Sequence, residues 1–301
     1  MQVLAPGIHP RSEALVQATR DLDRGRTSQE AVDEQVALDR DELVAFQQQA
    51  GFDLLADGML QWQDLFRPLL EASDGLEPGP LTRFLDTNTF YRAAHATSAL
   101  PRLAGPLAER YLPPLPGARL VTLPSPFALA QGTGVTPKVI AEQVLRPALE
   151  GLDAELVVLA EPFLGRSDGA PQELGEALEA LAVGPKLALQ LTFCDARPAL
   201  EQGLAELPVE AIGIDFYLTH LTDVPKGLGK LLLAGVVDAR SSTLEDPGEL
   251  AGFARRLQEE REVERLALVP NGDLQFVAER IAREKLQRLA KAKTATVQAA
   301  A

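Results

Sequence analysis

The feature that most constrains this chain is a rhythm of eight short apolar runs, each about one strand long, separated by stretches of helical period. The runs fall at residues 3–8, 52–57, 119–123, 156–159, 187–192, 211–216, 231–237 and 266–269. Most are near-continuous Val, Leu, Ile and Ala rather than alternating, which is the pattern of strands covered on both faces. The clearest helix between them opens at Thr27-Ser28-Gln29-Glu30, a capping-box signature. It continues through Val32, Val36, Leu43 and Phe46 and stops at Gly51, which accepts the left-handed conformation past a helix end. Residues 137–150, 172–181, 197–207, 246–262 and 274–289 carry the same period.

Strands alternating with helices eight times over predict a (β/α)8 barrel of the TIM type, whose usual ~250 residues fit within this chain. A doubly wound open sheet is the alternative, because periodicity does not register closure. The stretch from Asp57 to Tyr111 is too long for a simple link. It predicts an excursion after the second strand, covering residues 62–111. Residues 1–290 then form one barrel, and the low-complexity end, 291–301, is expected to be a disordered tail.

Charge and cysteine usage exclude several functions. With 29 basic and 43 acidic side chains, the formal charge is −14, which argues against nucleic-acid partners and anionic membranes. A single cysteine, Cys194, leaves no intrachain disulfide and fits a reducing, cytoplasmic setting. It also excludes a multi-cysteine zinc site within one chain. No apolar run approaches the ~20 residues of a membrane span, and the first residues lack the pattern of a secretory signal.

In barrels of this kind the active site lies at the carboxyl ends of the strands. There the sequence places His9 and Arg11, Asp57, Ser125, Glu161, Cys194 and Asp195, Asp215 and Tyr217, Asp238 and Arg240, and Asn271 and Asp273. Polar residues also stand at strand ends merely because solvent begins there. Glu161, at the end of "ELVVLAEPFLGRSDG", is open to both readings.

Four further stretches carry a resemblance. "AGFDLLADGMLQWQDL" (50–65) looks like A-G-[IL]-D-x-L-x-x-G-[DE], and "LTRFLDTNTFYR" (81–92) is similar to T-K-W-F-D-T-N-x-x-Y. "LPVEAIGIDF" (207–216) resembles L-P-V-x-x-[IL]-x-[IV]-D, and "LLAGVVDARS" (232–241) resembles L-x-A-G-x-[IV]-x-G-R-N, with Ala239 in place of glycine. In this order they resemble the cobalamin-independent methionine synthases, and specifically their amino-terminal, zinc-free barrel.

The resemblance implies methyl transfer from a methyltetrahydrofolate or corrinoid donor to homocysteine. In that family a second barrel holds zinc through a His-x-Cys pair, a glutamate and a final cysteine. The matching positions here read Thr192-Phe193-Cys194, Asp215 and Pro270-Asn271-Gly272-Asp273. Zinc is therefore not expected within this chain, no cofactor is expected to bind tightly, and methyltetrahydrofolate enters as a substrate. A separate zinc-bearing barrel is the implied partner. Ala160-Glu161-Pro162 and Asp57-Gly58-Met59 match the family's Asp-Glu-Pro and His-Gly-Glu only in part.

Arg83 stands where the family's folate-tail lysine stands, beside Asp86 and Asn88. The basic run of the family's first helix is replaced by Ser12-Glu13-Ala14-Leu15-Val16-Gln17, which leaves Arg11 and Arg20 as cations there. The candidate catalytic residues are Glu161, Asp215 and Cys194. The candidate substrate-binding residues are Arg11, Arg83, Asp86, Asn88, Asp238 and Arg240; Asp238 and Arg240 are equally open to a second reading, a strand-end ion pair that orders the barrel mouth. Two other readings stay open. One is a non-catalytic folate-binding or regulatory barrel, and the other is a barrel enzyme using strand-end carboxylates for different chemistry.

Overall fold

The computed structural model describes residues 1–105, 107–166 and 171–299. Seven strands make one parallel sheet: β1 (Gln2–Val3), β6 (Leu120–Pro124), β7 (Leu156–Glu161), β8 (Lys186–Leu191), β9 (Ala211–Asp215), β10 (Leu231–Val237) and β11 (Leu266–Pro270). Their order is β1-β11-β10-β9-β8-β7-β6, a curled sheet in which, from β6 onward, each strand lies beside its successor in sequence. Burial of both faces explains the continuous apolar runs. Leu156, Val158, Ala188, Leu231, Leu233 and Val269 join one cluster. Their neighbours Val157, Leu159, Leu187, Leu189, Leu232 and Leu268 join the larger core shared with the helices.

The helices are α1 (Glu13–Asp23), α2 (Gln29–Ala50), α3 (Arg67–Glu71), α4 (Ala108–Tyr111), α5 (Pro126–Ala130), α6 (Pro137–Ile140), α7 (Arg146–Leu149), α8 (Pro171–Ala180), α9 (Arg197–Glu201), α10 (Pro247–Arg261) and α11 (Glu279–Ala299). The cap of α2 is Ser28 rather than Thr27: its hydroxyl accepts from the Ala31 N–H, one residue later than the capping-box pattern implies. Gly51 ends α2 in the expected left-handed conformation, at φ 81°.

The expected strand at 52–57 does not form. Leu55 alone makes a parallel bridge, to Arg119, and the Asp53 N–H donates to the Val3 carbonyl. The cause is a side chain. Gln47, fully buried on α2, accepts the Ala56 N–H at 3.0 Å and donates to its carbonyl at 2.8 Å. Both backbone groups that a neighbouring strand would pair are thereby satisfied. A similar substitution shortens β1. Beyond it the Gly7 N–H donates to Thr122 Oγ1 and the Ile8 N–H to Asp273 Oδ1.

The excursion is present as expected. It holds α3, the two-residue strands β2 (Ser73–Asp74) and β5 (Arg102–Leu103), and a hairpin of β3 (Leu76–Arg83) and β4 (Phe90–Ala96). At the other end, α11 runs on through most of the segment expected to be a tail. Ala292 is buried there and Lys293 bonds both carboxylate oxygens of Asp53 at 2.8 Å. Residues 300 and 301 lie outside the described residues. Among the described residues, no helix is long and apolar enough to cross a membrane.

Candidate functional site at the strand ends

Asp215 closes β9 and is fully buried. Its Oδ1 accepts the Tyr217 N–H at 2.9 Å and Asn271 Nδ2 at 3.2 Å, while Oδ2 is buried with no partner. Burial pushes its pKa up to about 6, against the opposing pull of those two bonds and of Arg240. Asn271 in turn accepts the Ala239 N–H at 2.9 Å, so one amide ties the exits of β9, β10 and β11 together.

Phe193 covers the neighbouring ground. Its backbone is left-handed, at φ 55°, and its ring packs so closely on Gly272 that any side chain there would collide with it. Arg240 places its guanidinium 4.6 Å above the same ring, a cation–π contact. Of the two readings open for Asp238 and Arg240, the strand-end ion pair does not form. Asp238 instead accepts the Arg240 backbone N–H at 3.0 Å. Phe276 lies 5.5 Å from Phe193, and Phe84 stacks on Phe276 at 5.9 Å. Phe84 precedes the hairpin turn, so the excursion helps to roof the strand ends with aromatic rings.

The other candidates are held elsewhere. Glu161 is fully buried and serves the backbone: Oε1 accepts the N–H groups of Phe163 and Leu164 at 2.7 Å, and Oε2 accepts the Ser125 hydroxyl. Burial raises its pKa, with those bonds opposing. It is a clamp between the exits of β6 and β7. Cys194 is 3% exposed and packs its sulfur against Gly165. Arg11 donates to the carbonyls of Leu60 and Trp62 and so shapes the entry to the excursion. Arg83 turns back on its own loop, bonding the Thr87 carbonyl at 2.6 Å and Asn88 Oδ1 at 3.4 Å, with Asp86 exposed on the same turn.

His9 and Asp273, named in sequence only for their position, are both buried. His9 Nε2 has no partner, and burial, followed by nearby Arg283, lowers its pKa to about 3. Burial raises Asp273 to about 6, although it accepts the Ile8 N–H at 2.9 Å. Lys285, fully buried and paired with Glu245 at 2.8 Å, escaped the sequence reading. Its signal was available: it falls on the apolar stripe of α11 with Ala282, Leu286 and Leu289.

No family model matches the chain. In an alignment 201 residues long that covers 59% of this chain, it is 28% identical to the 5-methyltetrahydropteroyltriglutamate–homocysteine methyltransferase of Mycobacterium leprae. The match takes in 26% of that relative, so the chain spans about a quarter of the curated protein it resembles. A B12-independent methionine synthase of a Shewanella species, solved with selenomethionine, superposes with a TM-score of 0.72 at 16% identity, over 91% of each chain. The resemblance to cobalamin-independent methionine synthases holds in sequence and in fold. A Listeria monocytogenes protein assigned as a vitamin-B12-independent methionine synthase gives the same TM-score of 0.72 at 14% identity, over 96% of each chain. Methionine-synthase barrels of about this length thus share the architecture.

The zinc ligand set that the sequence resemblance implies is incomplete among these residues. Thr192 and Gly272 offer no ligand, and Cys194 is packed against Gly165. Among the described residues no three His, Cys, Asp or Glu side chains are grouped to hold a metal ion. Tetrahedral catalytic zinc needs three such ligands and one open position.

Proposed function

We propose that this chain serves methyl transfer in methionine synthesis, as a zinc-free barrel working with a separate zinc-bearing barrel. The donor is methyltetrahydrofolate or a methylated corrinoid, and the acceptor is homocysteine. The observation that carries the reading is the 28% identity over 201 residues to an enzyme whose name states that reaction. The mismatched ligand positions support a division of labour in which the partner carries the zinc and the activated thiolate it sustains. In this reading Arg83 receives the folate tail from an exposed turn that also carries Asp86 and Asn88, its guanidinium exchanging its bonds to the Thr87 carbonyl and Asn88 Oδ1 for a tail carboxylate. Asp238 and Arg240 border the substrate. The setting is cytoplasmic, in keeping with a lone cysteine. Residues 52–57 act as an eighth stave, supported by Leu54 and Ala56 joining the same cluster as residues from β6 to β11.

The test is formation of methionine from homocysteine and methyltetrahydrofolate, with this chain alone, the zinc-bearing barrel alone, and both together. Turnover that depends on both supports the proposal. Turnover by the zinc-bearing barrel that this chain does not change would sink it. A second reading, acid–base chemistry at the strand ends, draws on Asp215, whose raised pKa and open oxygen suit a proton-transfer group.

A further inference from the structure

Between the exits of β9 and β10 and the start of α10 lies a cavity of about 600 Å³. Small-molecule sites run from ~300 to 1,000 Å³, and parallel sheets of this kind place them at the carboxyl ends of their strands. One wall is aromatic. Phe216 and Phe253 meet edge to face at 5.1 Å, and Tyr217, 48% exposed, stands beside them.

The other wall is acidic. Asp238, Glu245 and Glu249 line it, with Asp246 at the helix cap, and no lysine, arginine or histidine does. Glu245 is already balanced by buried Lys285, and it also accepts the Tyr217 hydroxyl at 3.1 Å and the Asp238 N–H at 2.9 Å. That network fixes the wall in place. It leaves Asp238, Asp246 and Glu249 as negative charge with no cation in the lining.

An anionic guest would meet like charge here, and a neutral apolar one would desolvate carboxylates without pairing them. A cation on an apolar body satisfies both walls, through charge-assisted bonds to the acids and contact with the rings. We infer that this cavity binds a small organic cation, an ammonium group carried on an apolar or aromatic body. The inference stands apart from the methyl-transfer reading, since it requires neither folate nor homocysteine.

Two probes of one shape and opposite charge test it: phenethylammonium and 3-phenylpropionate, titrated into the full chain and followed by amide NMR shifts. The ammonium should bind saturably, with shifts gathered at the exits of β9 and β10 and the first turns of α10, and the carboxylate should not. Glu249→Gln, at an exposed position of α10, should weaken the ammonium roughly three- to tenfold. Phe253→Leu, which keeps an apolar filler against Phe216, should weaken it by a smaller factor. Raised salt should weaken it further. Equal binding of the two probes, absence of saturable ammonium binding at millimolar concentration, or unchanged affinity in Glu249→Gln would each overturn the assignment.

Discussion

Burial holds Asp215 uncharged up to about pH 6, although an ordinary aspartate ionises near 3.8. Below about pH 3 both folded and unfolded chains carry the proton, and nothing is lost. Between there and about pH 6 the unfolded chain ionises first, so stability falls as pH rises. Above that window the full cost remains, on the order of 2–3 kcal/mol for two units. Asp215→Asn keeps an acceptor for Tyr217 and Asn271 while removing the charge. It should raise the melting temperature at a pH of about 7.5 and leave it nearly unchanged at about pH 3. A variant less stable than wild type at the higher pH would show that the carboxylate is compensated within the fold. A rise in stability coupled to loss of turnover would mark Asp215 as a residue kept for chemistry.

Gln47 decides the fate of a whole element. Replacing it with leucine keeps the volume roughly, yet strips both partners from the buried backbone of Ala56. Two buried unsatisfied groups cost roughly 2–5 kcal/mol together. Gln47→Leu should therefore unfold at lower denaturant and speed hydrogen exchange at residues 52–57 ahead of the other strands. Unchanged exchange there would mean that the bridge at Leu55 carries the segment. This element also shows what sequence can convey. Apolar runs reported β6 to β11 because each is buried on both faces, a condition written into consecutive residues. Run 52–57 meets the same condition, but its pairing depends on a glutamine at a helical distance that no local pattern announces. The site is less legible for the same reason. Position named Asp215, Asp238, Arg240 and Asn271, yet the left-handed turn of Phe193 and its fit to Gly272 arise from chain segments far apart in sequence.

At the scale of the molecule, the same sequence motifs that pointed to methionine synthases also marked the positions at which this chain differs from the ligand set the resemblance implies. Purified protein should hold well under one zinc per chain after dialysis, read by metal analysis. Stoichiometric zinc with Cys194 among its ligands would require the strand-end packing to differ from that described. The helix α11 has a more practical consequence. Asp53 accepts the Val3 N–H at 2.7 Å and grips Lys293 through both oxygens, so a single carboxylate bolts the opening of the chain to its final helix. Anyone shortening the protein for expression would choose the alanine-rich end at 291–301 as expendable, and would withdraw that bolt. A chain cut after residue 290 should melt several degrees lower and exchange its first strand faster, whereas a cut chain that melts as the full length does would show that the Asp53–Lys293 contact carries little.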